Sequence, residues 1–294
     1  MFTSRNTIPL IAGTMKWGSW GAKFSTSEYL SMIHECLESG IETFDHADIY
    51  GGHTVEEEFG AALQQDPGLR NRIQLISKCG IQMLSPNRTG YSIKHYDTGR
   101  EHILASVERS LQNLHTDHLN LLLIHRPDPL MDPAEIAEAF TLLKDQGKVL
   151  LFGVSNFSAS QMEMINQDFK IITNQLEISI VRLQPFTDGT LDYCIINKII
   201  PMGWSPLGGG NIFISKDERD KRIVAVAEIL AERYAVTPPQ VLLAWLLKHP
   251  SNIIPVLGTA KASRVKEAAE ATKLNLSREE WFMLWRASTG EEVA

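Results

Sequence analysis

Eight short apolar runs recur along the chain, at 8–12, 41–45, 73–77, 119–124, 149–154, 171–174, 199–204 and 253–257, and a segment with helical spacing of apolar residues follows each. The runs are continuous rather than alternating. A continuous apolar strand is buried on both faces, as a parallel sheet covered by helices requires. Eight βα units in 294 residues match an α/β fold, a (β/α)8 TIM barrel with one or two extra helices. A doubly wound sheet is the competing architecture. It would place a Gly-x-Gly-x-x-Gly turn after the first strand, and Gly13-Thr14-Met15-Lys16-Trp17-Gly18 does not match. Length alone suggests about two domains, but a barrel of ~250 residues is one. No Gly/Ser- or Pro-rich linker divides the sequence, so a single domain over 1–294 is expected.

Helix signals support the same count. Ser27 is placed to cap a first helix carrying Leu30, Ile33, His34 and Leu37, which Gly40 stops. Further helices are predicted at 56–63, 99–114, 133–146, 159–166, 188–197, 218–233, 238–248, 261–271 and 277–287. Pro133 sits in a favoured first-turn position, and Gly147 closes that helix. Between the third strand and its helix, residues 80–97 show no periodicity. Loops of that length are usually functional or disordered.

Composition narrows the class. A hydrophobic share of 44% allows a large core, and a net charge of -7 argues against nucleic acid, which demands a basic face. No apolar run approaches the ~18 residues needed to cross a bilayer. Residues 1–7 lack the apolar core of a signal peptide. The three scattered cysteines, Cys36, Cys79 and Cys194, read as reduced thiols of a cytoplasmic protein.

In a barrel the carboxyl ends of all strands share one face, where catalytic groups gather. Asp45 ends the second strand, Lys78 follows the third, and His125 follows the fourth. Tyr50 lies on the loop beyond Asp45. A lone lysine or histidine at a strand end is more often a solvated polar group, and Tyr50 alone reads as loop packing. Three adjacent strands that all end in an ionisable group weaken that reading. Asp45, His46 and Asp48 could instead supply metal ligands, but no His-x-His pair follows the first strand and Lys78 would repel a cation, so no metal is expected. Tyrosine is a poor acid at neutral pH, its free pKa being ~10. A neighbouring ammonium lowers that pKa, and a buried aspartate keeps the lysine charged. A histidine can orient a carbonyl oxygen towards the phenol. The set suits protonation of a carbonyl as hydride arrives. A barrel hydrolase or isomerase using Asp45 and His125 is the rival from these residues alone. His46 and Asp48 read as loop scaffolding.

Over nearly its whole length the chain resembles the aldo-keto reductase family, closest to its bacterial oxidoreductases without an assigned substrate. The resemblance rests on Gly13-Thr-Met, Phe44-Asp-His-Ala-Asp-Ile-Tyr-Gly51, Ser77-Lys78, Leu122-Leu-Ile-His125-Arg-Pro, Gly153-Val-Ser-Asn-Phe157, Asn174-Gln175 and Trp204-Ser-Pro-Leu-Gly208, in family order. It implies a nicotinamide-dependent (β/α)8 reductase, a tetrad of Asp45, Tyr50, Lys78 and His125, and Tyr50 as general acid. It implies that Ser155, Asn156 and Gln175 hold the carboxamide, and that Trp204, where many members have tyrosine, stacks on the nicotinamide. Ser205, Pro206, Leu207 and Gly208 would border the pyrophosphate.

At the last βα turn, Gly258 and Thr259 replace the usual Lys-Ser. Lys261 could compensate for the missing charge. Arg264 matches the arginine that pairs with a 2′-phosphate, Glu267 matches an adenosine contact, and Ala268 replaces a common asparagine. NADP(H) is therefore the expected cofactor. A small carbonyl compound is the expected substrate, with no nucleic-acid, membrane or obligate protein partner. Trp17 and Trp20, with Tyr50 and His125, are expected to line the substrate pocket, joined by His53 and by Met83, Tyr91, His95 and Tyr96 of the 80–97 loop. The stretch after the last strand is short and mostly helical, so the long C-terminal loop of many members is expected to be missing. An open site for small or aromatic aldehydes and dicarbonyls follows. The family also contains NADPH-binding potassium-channel β subunits, the rival from another class. A full tetrad, with no visible N-terminal extension, favours an enzyme.

Overall fold

The computed structural model describes residues 8–293. Residues 1–7, the segment without the apolar core of a signal peptide, lie outside that range. Eight parallel strands close into a barrel: β1 (Ile11–Gly13), β2 (Thr43–Asp45), β3 (Gln74–Cys79), β6 (Leu119–Ile124), β7 (Val149–Ser155), β8 (Thr173–Glu177), β9 (Ile200–Trp204) and β10 (Ile254–Leu257). They pair in chain order, and β10 returns to β1 through Ile11 opposite Val256. The two remaining strands, β4 (Ile81–Gln82) and β5 (His95–Tyr96), form an antiparallel pair outside the barrel.

The helices are α1 (Thr26–Glu38), α2 (Val55–Gln65), α3 (Arg100–Asn113), α4 (Pro133–Asp145), α5 (Ala159–Asp168), α6 (Thr190–Asn197), α7 (Glu218–Tyr234), α8 (Pro238–Leu247), α9 (Ala262–Ala271) and α10 (Arg278–Thr289). α1 starts earlier than expected because Ser25, not Ser27, is its cap. The Ser25 hydroxyl accepts from the Glu28 amide while the Glu28 carboxylate accepts from the Ser25 amide, a reciprocal capping box. Ser158 with Gln161 and Ser277 with Glu280 open α5 and α10 the same way.

Two apolar layers set the shape. Ile11, Ile76, Leu121, Leu123, Met202, Ile254 and Val256 fill the barrel interior, so the barrel is a packed core rather than a pore. A larger layer between strands and helices includes Phe44, Phe59, Leu122, Phe140 and Phe152. Gly153 lets β7 approach β8 closely: a Cβ there would sit 2.5 Å from Thr173 Cγ2. Under the extra helices α7, α8 and α10, Trp245 and Trp281 stack at 4.9 Å and exchange indole-to-carbonyl hydrogen bonds. Among the described residues no helix is long and apolar enough to cross a membrane.

The 80–97 segment differs from the expected structureless loop. The β4–β5 pair closes its base, and an isolated bridge joins Ser85 to Arg88 within it. Ile81-Gln82 and His95-Tyr96, two residues each, are too short to show a strand period, so no pattern marks them.

Candidate active site

Asp45 is the last residue of β2, and Lys78 lies one residue before the end of the neighbouring β3, with Asp45 registered on Ile76. That offset lets Lys78 reach back. Its Nζ donates to Asp45 Oδ2 at 2.7 Å, to the His46 carbonyl at 2.8 Å and to Tyr50 Oη at 2.9 Å. All three ammonium hydrogens are thus used, on a side chain buried to 1% exposure. The second oxygen of Asp45 accepts from Gln175 Nε2 at 2.9 Å, across the barrel. A buried ion pair survives desolvation only when its remaining valences are met in this way.

Tyr50 opens a single 3-10 turn, Tyr50–Gly52. Gly51 holds φ +64 there, and a Cβ on it would meet Thr54 Oγ1 at 2.7 Å, so the turn that aims Tyr50 needs glycine. His125 follows β6 directly, its ring 6.1 Å from that of Tyr50 and nearly perpendicular to it. Trp20 stands on another side of Tyr50 at 6.3 Å and is half-exposed, while Met83 packs against the cluster that contains Tyr50.

Electrostatics assign protonation states. Burial pulls Lys78 down, but Asp45 and Tyr50 outweigh it and the net shift is upward, so it stays an ammonium ion. Burial raises Tyr50, and Lys78 opposes this without overcoming it. The expected lowering of the phenol is therefore only a contribution, and Tyr50 is held protonated. His125 is pushed well below the ordinary histidine value by burial and then by Lys78, Arg126 and Lys94, so it is neutral.

The groups expected to hold a cofactor come from the ends of β7, β8, β9 and β10 and the turns that follow them. Ser155 Oγ donates to the Gln175 carbonyl at 3.0 Å, and Asn156 Nδ2 donates to Ser155 Oγ at 2.7 Å. The Trp204 indole donates to Asn156 Oδ1 at 3.0 Å. Gln175 lies within β8, where its side chain reaches Asp45. Beyond β9, Ser205 takes φ +51, Pro206 is buried, and Gly208, Gly209 and Gly210 all take positive φ. Leu207 accepts from the Gly210 amide. Past β10, Lys261 occupies the N-cap position of α9 without a side-chain cap; its amide donates to Thr259 Oγ1, and its side chain is exposed, as is that of Arg264. Neither has an acidic partner among the described residues. Glu267 has one claim on it already: its carboxylate accepts from Thr237 Oγ1 at 2.5 Å, at the cap of α8.

Trp17 is not at the mouth. It is fully buried between Phe24, Tyr29, Phe44 and Phe59, and its indole donates to the Thr259 carbonyl at 3.0 Å. Its role is to tie the first βα loop to the last. His95 and Tyr96 are exposed on β5, with Tyr91 against His95 at 5.3 Å. His53 is turned inward, Nδ1 on the Asp48 carbonyl at 2.6 Å. His46 Nδ1 pairs with Thr14 Oγ1 at 3.0 Å, and burial followed by Lys78 lowers its pKa to about 3.

Two features escaped the sequence reading. Asp48 is buried with both carboxylate oxygens lacking a hydrogen bond, 3.7 Å from Arg88 of the hairpin. Arg126 lies over the Trp204 ring, 5.8 Å from its centroid. Arg126 could have been found, since it follows His125 directly. Arg88 could not, because nothing local marks its reach to Asp48.

A (β/α)8 barrel with interacting ionisable groups at the carboxyl-terminal face of its strands is an enzyme's architecture. The chain belongs to the aldo/keto reductase family, whose profile matches residues 9–287, and it is an oxidoreductase. It is 45% identical over 287 residues to the uncharacterized oxidoreductase YcsN of Bacillus subtilis, covering 97% of this chain and 95% of that one. It is 40% identical over 284 residues to a 6-dehydroglucose reductase of Agrobacterium fabrum, covering 95% of each. An aldo-keto reductase from Klebsiella pneumoniae, crystallised with NADPH, superposes with a TM-score of 0.75 at 25% identity, over 95% of this chain and 90% of that one.

Proposed function

We propose that the protein reduces an aldehyde or ketone to the alcohol using NADPH, with Tyr50 as the general acid. The observation that carries this reading is the Lys78 ammonium held between Asp45 and Tyr50, with neutral His125 beside the phenol. The Klebsiella relative crystallised with NADPH supports the cofactor.

The residues present fit a dinucleotide. Gly209, Gly210 and Gly258 have open space where a Cβ would stand, which permits close backbone approach. Lys261 and Arg264 offer unpaired charge at the N-terminal end of α9, where a helix favours phosphate. Trp204 offers an aromatic face, and Ser155, Asn156 and Gln175 would hold a carboxamide. When bound, a reduced nicotinamide supplies hydride.

The chain's own groups do the rest. Neutral His125 donates a hydrogen bond to the substrate oxygen and holds it at the phenol. Tyr50 passes its Oη proton to that oxygen as charge develops on it. Lys78, 2.9 Å away, stabilises the phenolate left behind, and Asp45 keeps Lys78 charged and aimed. Burial of Tyr50 and His125 to 8% exposure limits water at the reacting oxygen.

The test follows NADPH absorbance with 4-nitrobenzaldehyde, comparing wild type with Tyr50→Phe. The variant is expected to bind NADPH and lose roughly 100- to 10,000-fold in turnover, the usual span for a lost acid. Undiminished turnover would remove Tyr50 from the role.

A further inference from the structure

Arg126 is a half-buried charge without a counter-charge among the described residues. It directly follows His125 at the end of β6, is half-buried, and lies over the Trp204 ring with its Cζ 5.8 Å from the centroid. A guanidinium carries five N–H donors in a rigid fork. Among the described residues no carboxylate pairs with Arg126 and no hydrogen bond uses its donors. Arginines placed for structure alone behave otherwise in this protein: Arg70 donates to Thr116, Ile73, His118 and Asn120, and Arg233 pairs with Glu280.

The position of Arg126 matters as much as its isolation. Its charge acts on both Tyr50 and His125, and Lys94 of the hairpin is a second cation whose charge reaches His125. Lys94 is likewise exposed and without an acidic partner among the described residues. Lys78 contributes no free charge, because Asp45 compensates it. Two cations without acidic partners among the described residues therefore act on His125, in a chain whose net charge is -7. An indole has two faces, so a guanidinium over one is compatible with a planar ring against the other.

We infer that Arg126 is a specificity-determining residue that receives a carboxylate on the carbonyl substrate, so that the site selects oxo acids over neutral carbonyls. This rests on the carbonyl-reductase reading above and narrows it. A carboxylate matches the fork bidentately and neutralises the charge. A hydroxyl would accept a hydrogen bond but leave the cation uncompensated. Trp204 supports the guanidinium from below and keeps it from collapsing onto the protein.

The experiment measures kcat/KM on matched pairs, 4-carboxybenzaldehyde against methyl 4-formylbenzoate and succinic semialdehyde against butanal, in wild type, Arg126→Leu and Arg126→Lys. Wild type is expected to favour the acid of at least one pair by tenfold or more. In Arg126→Leu that ratio should fall by roughly tenfold to a hundredfold, the span for a lost charge-assisted hydrogen bond, chiefly through KM for the acid. Arg126→Lys should restore part of it, since the charge returns without the fork. Equal kcat/KM within both pairs in wild type, or an equal loss for acid and neutral partner in Arg126→Leu, would overturn the inference. So would selective loss on a neutral polyhydroxy aldehyde such as glyceraldehyde with no effect on the acids. Turnover of the neutral aldehydes by wild type tests the reductase reading separately, because it does not require Arg126 to see a carboxylate.

Discussion

The indole N–H of Trp204 donates to Oδ1 of Asn156 across 3.0 Å, linking the end of β9 to the turn after β7. Asn156 sits at φ +63, a strained backbone for a non-glycine residue, and its side chain is fixed by Trp204 on one atom and Ser155 on the other. A phenol at 204 could present an aromatic face but has no N–H at that place. Trp204→Tyr is therefore expected to loosen Asn156 and weaken NADPH binding by roughly twofold to tenfold, the worth of one neutral hydrogen bond. Titration of NADPH by fluorescence would show this, and unchanged affinity would mean that the contact positions nothing.

The Asp45–Lys78 pair makes a different prediction, one about stability. Both side chains are almost wholly buried, so removing one partner strands the other charge. Lys78→Met alone should cost about 3–5 kcal/mol, whereas Lys78→Met combined with Asp45→Asn should recover much of that loss. Neither variant should reduce aldehydes, since Tyr50 loses its cation in both. Urea unfolding together with NADPH oxidation assays separates the two effects; a double variant no more stable than the single one would show that the pair stabilises the fold on balance.

The barrel was legible because its signal is repeated eight times and depends only on apolar continuity. The placing of Asp45, Lys78 and His125 on one face was legible for the same reason: once strand order is fixed, neighbouring strand ends must be close, and the hydrogen bonds of Lys78 follow. Side-chain direction was not. Trp17 and Trp20 both follow β1, yet one is sealed in the core and the other stands beside Tyr50. Which way each points depends on the turn between them, where Gly21 donates to Gly18 and Ala22 to Lys16, and no apolar period encodes such a turn. The electrostatic balance at Tyr50 was equally hidden, since sequence shows that Lys78 is near but not how deeply both are buried.

The proposed 2′-phosphate contact at α9 makes a prediction about cofactor choice. Arg264 and Lys261 are exposed and have no acidic partner among the described residues, so each can meet an anion at the helix N-terminal end. Arg264→Ala is expected to weaken NADPH by roughly tenfold or more, since a charge-assisted contact to phosphate is lost, and to leave NADH nearly unchanged. Equal weakening of both, measured by fluorescence titration, would show that Arg264 does not meet the 2′-phosphate.

The last prediction concerns Asp48, which faces Arg88 of the hairpin across 3.7 Å. Burial raises its pKa from 3.8 to about 8, with Glu56 adding to the rise and Arg88 and Arg109 opposing it. Below the unfolded value, the carboxyl is protonated in both folded and unfolded chains and its ionisation is neutral to stability. Between that value and about 8 only the unfolded chain releases the proton, so the folded state loses ground as pH rises, by at most about 1.4 kcal/mol per pH unit. Above the folded value both forms are ionised and the loss levels off. Asparagine has the shape of the protonated acid and never ionises. Asp48→Asn should therefore gain on wild type in urea midpoint as pH is raised from 5 through 6.5 to 8. Parallel midpoints across that range would mean that Arg88 and Arg109 keep the carboxylate ionised in the fold. A wild-type advantage that grows with pH would go further and make the ion pair across 3.7 Å a stabilising clasp on the hairpin.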